Sequence, residues 1–138
     1  MRSIRHAVSG AIFVMIAAMW STVPAAATGE IVCLATDGSN ASIDIEIGHV
    51  PVLAVLGATA TDGTEVWSTR ERENTRPFVL GQGFMDHSQV LIDFTDPNIE
   101  GVVVSLRLFH IAAGKSFAEA GVLSFSGGPV FPVQCDTG

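Results

Sequence analysis

Ser42-Ile43-Asp44-Ile45-Glu46-Ile47 is the stretch that decides the fold. Three isoleucines alternate with three polar residues. A period of two puts one set on a core and the other in water, so this is a half-buried β-strand. Working outward, the same chemistry recurs. Residues 52–61 (VLAVLGATAT) are apolar and β-rich, and Gly57 marks a bulge or bend. Asp62-Gly63 predicts a two-residue hairpin turn, with residues 64–69 (TEVWST) as the returning strand. Residues 70–76 (RERENTR) hold no apolar side chain and read as an exposed loop ending before Pro77. Residues 78–84 form a short strand interrupted by glycine, and 89–95 (QVLIDFT) another. Residues 101–111 (GVVVSLRLFHI) carry the strongest strand signal. Residues 118–126 open with a helix-compatible AEAG but end as VLSFS, which predicts mostly strand, and 130–135 close the pattern. Eight to nine short strands with frequent turns predict an all-β fold, a small antiparallel barrel or sandwich.

The start of the chain reads as an address. Arg2 and Arg5 precede an uncharged apolar run at 11–20, then Pro24 and small residues up to Ala27. That is the layout of a secretory signal peptide, so 1–27 is expected to be removed after about Ala27 and 28–138 to form one all-β domain. The run is shorter than the roughly 20 residues a spanning helix needs, so no stable membrane anchor is expected. Export implies the periplasm, an oxidising compartment. Cys33 and Cys135, the two cysteines of the chain, then have one possible pairing and should staple the first and last strands, closing the barrel. Residues 28–138 hold 5 cations against 14 anions. With no basic stripe, nucleic acid is a poor partner.

Candidate chemistry is sparse. Asp86-His87-Ser88 holds the residue types of a hydrolase triad, but adjacent strand residues diverge and no nucleophile elbow is present, so it reads as a polar turn. His49, His87 and His110 lack the spacing of a metal pair. Asp93, Asp96, Asn98 and Glu100 cluster oxygen ligands without the EF-hand spacing. An Asx-turn at Asp96 accounts for them, with a calcium site the open alternative. Arg70, Arg72 and Arg76 are three of the five cations of 28–138, and they sit beside Glu71 and Glu73. They make either an internally neutralised loop or a loop offered to an acidic cleft, since guanidinium forks recognise carboxylates. Gly81 and Gly83 beside Phe84 permit a bulge or a close backbone approach. No residue set predicts catalysis, a cofactor or a metal, so a non-enzymatic protein is expected.

The segments VCLATDG, GHVPVLAV, WST, GQGF, DFTDPN, LRLF, AGVL and FPVQC, in that order, resemble a family of small exported Gram-negative bacterial proteins to which no chemistry is attached. The layout is more loosely similar to that of the periplasmic inhibitors of c-type lysozymes. These are small exported β-barrels with an early cysteine bridged to a late one. They bind lysozyme through a Ser-Gly-x-x-Tyr loop and a later lysine-containing motif. Here Leu80-Gly81-Gln82-Gly83-Phe84 keeps the glycine and an aromatic but has Leu for Ser and Phe for Tyr. Ser126-Gly127 keeps Ser-Gly without the aromatic, and the chain has no tyrosine. The resemblance implies a protein that binds a lysozyme or other muramidase. The arginine loop, Gly81, Gly83, Phe84, Ser126 and Gly127 are the expected contact residues. The alternatives are a structural or accessory envelope protein, or a barrel binding a small ligand or calcium.

Overall fold

Alternation along each segment is realised as strand, with isoleucine, valine, leucine and phenylalanine in phase on one face. The computed structural model describes residues 28–138. The expected signal peptide and its cleavage point lie outside the described residues. Ten strands form: β1 (Thr28–Ala35), β2 (Ser42–Gly48), β3 (Ala54–Thr61), β4 (Val66–Ser68), β5 (Arg76–Pro77), β6 (Val79–Met85), β7 (Gln89–Thr95), β8 (Val102–Ala113), β9 (Ser116–Phe125) and β10 (Val130–Thr137). They build one sheet in the order β5-β4-β3-β2-β1-β10-β9-β8-β7-β6, curled into a nearly closed barrel. The fold is therefore all-β, with one strand more than expected.

The extra strand is β5. Its two residues pair in parallel with Trp67 and Ser68 of β4, and the Phe78 amide donates to the Ser68 carbonyl at 3.2 Å. Proline and charge hid it from the sequence. Because β5 and β6 are successive pieces of one chain segment, that segment bridges the two edges of the sheet. The seam lies there and not between the first and last strands. β1 and β10 pair in mid-sheet instead, with Cys33 directly opposite Cys135, and the disulfide joins them.

Two local expectations change. Asp62-Gly63 is part of a four-residue connection, since Thr61 pairs with Val66. Asp62 Oδ1 accepts from the amides of Thr64 and Glu65, both at 2.8 Å, which fixes the longer loop. The AEAG segment is strand from its first residue, because β9 follows β8 to its tip. The irregularity near Gly57 is present as a register shift opposite Glu46 and Ile47.

Inward positions fill the barrel: Ile31, Ile43, Ile45, Val90, Ile92, Phe94, Val104, Leu106, Leu108 and Leu123 are fully buried. Aromatic rings close the packing near the turns at 62–65 and 126–129, with Trp67 on Phe125 at 4.8 Å and Phe78 stacked on Phe94 at 4.4 Å. One rim carries the connections 36–41, 62–65, 96–101 and 126–129. The opposite rim carries those at 49–53, 86–88 and 114–115, together with Thr28 and Gly138.

Candidate functional site

The arginine loop lies along the seam. Arg70 donates through Nη1 to Glu46 Oε1 at 2.7 Å and pairs through Nη2 with Oε2 of the same carboxylate. That bidentate hydrogen bond holds the Glu46 carboxyl below its ordinary range. Arg76 pairs with Glu65, and its guanidinium lies 6.0 Å from the Trp67 ring centroid. The partners are thus Glu46 and Glu65, distant in sequence, and not the adjacent Glu71 and Glu73. A tight turn with Asn74 at φ 57° returns the chain, and Thr75 Oγ1 donates to the Arg72 carbonyl at 2.9 Å. Arg72 is the loop cation outside the ion pairs of the described residues. It lies between two surface grooves. One, of about 320 Å³, contains Asp44, Glu46 and Thr59. The other, of about 480 Å³, contains Thr75, Val79 and Pro97.

The remaining contact candidates divide between the rims. Gly81 is the bulge residue between Leu80 and Gln82, and a Cβ there would come within 2.6 Å of Thr95 Cγ2. Gly83 lets Leu53 press onto β6, where a Cβ would lie 3.0 Å from Leu53 Cδ2. Both glycines serve packing. Ser126 and Gly127 form the β9–β10 turn, with Gly127 at φ 67°, on the same rim as Arg76 and Glu65. Phe84 is exposed and pairs with Leu91 toward the opposite rim. The eight residues therefore do not form one surface. Arg76 and the Ser126-Gly127 turn lie toward one rim, Arg70 and Arg72 lie over the β2–β3 wall beside Glu46, and Phe84 lies toward the opposite rim.

The polar clusters singled out in the sequence are structural in geometry. Asp86 Oδ1 accepts from the Ser88 amide and hydroxyl, both at 2.8 Å, and from the Gln89 amide at 2.9 Å. Asp96 accepts from the amides of Asn98, Glu100 and Gly101. These are Asx-headed turns, and amide donation keeps both carboxyls low, against desolvation at Asp96. Asp93 belongs to a different network. It is 4 % exposed on the outer wall of β7, beneath Gln82, Ser105 Oγ at 2.7 Å and Arg107 Nη2 at 2.7 Å. Burial disfavours its charge, but the three donors outweigh burial and hold the carboxyl below its usual range. Asp93, Asp96, Asn98 and Glu100 do not converge, and no group of three or more His, Cys, Asp or Glu is placed to hold a metal among the described residues.

Sequence reasoning missed Glu119. It points into the barrel, 2 % exposed, in phase with Leu123 and Phe125. Its Oε2 accepts from Thr137 Oγ1 at 2.6 Å, while Oε1 has no hydrogen-bond partner and faces His110 Nδ1 at 3.7 Å. The His110 Nε2 lies 3.1 Å from the Asp86 carbonyl, so this nitrogen is the donor. Alternation extended back from Leu123 would have flagged the carboxylate as inward. No family model, curated protein or solved structure matches this chain.

Proposed function

We propose that the protein is an exported, non-enzymatic binding protein that inhibits a lysozyme-type cell-wall hydrolase, with Arg72 as its anchor. The observation that carries this reading is Arg72 standing between two grooves outside the salt bridges of the described residues, its nearby Glu46 carboxylate already held by Arg70, while Arg76 is tied to Glu65. A guanidinium that no internal salt bridge holds can reach the two carboxylates of a glycosidase cleft and block substrate there. The excess of nine anions over residues 28–138 would draw in a cationic hydrolase before contact. Arg70 and Arg76 then act as braces, fixing the loop so that little ordering is required on binding.

A cell-wall lysis assay against c-type, g-type and bacterial muramidases tests the proposal. The protein should inhibit at least one, more weakly as salt rises, because exposed charges are screened beyond about 8 Å at physiological ionic strength. Arg72→Ala should weaken inhibition at least about tenfold, the size expected of an interface anchor. Absence of inhibition of every class would favour an accessory envelope protein.

A further inference from the structure

Alternation along β2 and β3 leaves a polar outer wall. Ile43, Ile45, Ala58 and Ala60 are buried inside, so their alternate neighbours face outward. The register sets Ser42 opposite Thr61, Asp44 opposite Thr59 and Glu46 opposite Gly57. Arg70 and Arg72 reach over this wall from the loop, and the groove of about 320 Å³ lies among these residues. Internal bonds close it at both ends. At one end Arg70 grips Glu46; a Cβ on Gly57 would stand 3.0 Å from Arg70 Nη2, so the bare backbone makes room for the guanidinium. At the other, Thr61 Oγ1 donates to the Glu65 carbonyl at 2.7 Å and accepts from the Gly63 amide at 3.0 Å.

The middle of the groove is different. The hydroxyls of Ser42 and Thr59 take no part in the side-chain hydrogen bonds among the described residues. Asp44 and Arg72 line the same groove, and neither belongs to a salt bridge of the described residues. Opposite charges that share a groove without closing on each other leave space between them. Asp44 is also crowded from β1. Its hydrogen bond to Glu30 and the repulsion between the two acids hold the Glu30 carboxyl above its ordinary range. A cation placed at Asp44 relieves that repulsion. The lining holds no aromatic ring, so it offers no stacking surface to a sugar or a base.

We propose that this groove binds a small zwitterion of the amino-acid class, its carboxylate held by Arg72 and its ammonium by Asp44, with the Thr59 and Ser42 hydroxyls completing the contacts. A guanidinium fork matches a carboxylate, and a carboxylate accepts from an ammonium in charge-assisted hydrogen bonds. The groove lies at the small end of the roughly 300–1,000 Å³ range of ligand pockets, which suits a ligand of this size. A simple amine leaves Arg72 without a partner, and a simple acid leaves Asp44 without one. The site goes beyond the muramidase reading and stands without a hydrolase.

The experiment uses protein recovered from cells expressing the full chain, and backbone NMR follows its amide shifts at fixed ionic strength. The probes are glycine, β-alanine and γ-aminobutyrate, which separate the two charges by increasing lengths. Each is compared with the alkylamine and the carboxylate of the same carbon chain. At least one zwitterion should bind about tenfold more tightly than either half, with shifts centred on Asp44 and Thr59. In Arg72→Gln the zwitterion and the amine should bind alike. In Asp44→Asn the zwitterion and the carboxylate should bind alike. Thr59→Val, which keeps the shape and removes the hydroxyl, should weaken the zwitterion about threefold or more. Lys115→Gln, in the β8–β9 turn, should change nothing. Circular dichroism checks that each variant folds. Three results would overturn the proposal: no zwitterion shifting these amides up to about 50 mM, an amine or an acid binding as well as the best zwitterion, or an equal loss with Lys115→Gln. No hydrolase is present in the titration, so its failure and that of the lysis assay are told apart.

Discussion

Gly121→Ala is expected to be among the most damaging single-methyl additions to this protein. Gly121 lies in β9, paired with Leu108 of β8 and Val133 of β10. A Cβ built there would stand 1.8 Å from the Arg107 carbonyl oxygen, 2.8 Å from its carbon and 2.9 Å from Leu108 Cα. All three atoms are backbone, so no side-chain rotation relieves the clash. The strands must separate by more than about 1 Å, which stretches ladder hydrogen bonds beyond useful length. Two such bonds at about 1 kcal/mol each, with the strain of an overfilled core, give a loss of about 2–4 kcal/mol. For a domain of this size that lowers the melting temperature by about 10–20 °C. Thermal unfolding followed by Trp67 fluorescence measures it. Gly48→Ala is the control, because the nearest atom to its Cβ would lie at an ordinary 3.6 Å. A Gly121→Ala protein melting within about 2 °C of the parent would refute the close β8–β9 approach on which this part of the barrel rests.

Other perturbations give separate tests. Reducing Cys33–Cys135, which spans 102 residues of sequence, should cost about 4–5 kcal/mol in the chain-entropy account, and two free thiols in protein purified without reductant would contradict the bridge. Asp93→Ala should cost about 2–4 kcal/mol, since Gln82, Ser105 and Arg107 lose their shared acceptor, and denaturant titration reads this directly. Asp93 has a folded pKa below its unfolded value of about 3.9, so its contribution is complete above that pH and is lost as pH falls through the folded value. The parent's stability should therefore fall more steeply below about pH 4 than that of Asp93→Ala; parallel curves would count against the network. Arg70→Ala should free the Glu46 carboxyl to titrate at higher pH, visible by NMR, and leave the barrel folded.

Most of the barrel was legible because its code is local. Alternation in Ser42–Ile47 and again from Val104 to Leu108 states which side is inside, and Asp-headed turns punctuate the strands where side-chain carboxylates cap backbone amides. What stayed hidden is non-local. β5 has no apolar residue to announce it and exists because β4 lies beside it. The bond between Arg70 and Glu46 crosses 24 residues of sequence, so the charges within the loop could not name the arginine's partner. Glu119 was masked by AEAG, whose helix propensity is overruled by ten residues of pairing with β8. The expected contact set separated in space because residues close in sequence, such as Arg76 and Phe84, are carried to opposite ends of the β5–β6 segment that runs the height of the barrel.

The mid-sheet pairing of β1 with β10 governs how the chain can fold. Strands β1 to β4 are joined by successive antiparallel pairings, and so are β6 to β9, so each array can assemble from short loops. β10 is the last strand in chain order, and β1 must wait for it. Until β10 arrives, two half-sheets expose long edges that can recruit other chains. A chain made from its N-terminus passes through that vulnerable interval before β10 is complete. The thiols meet when the interval ends, so oxidation seals a register that folding has already selected and does not select it.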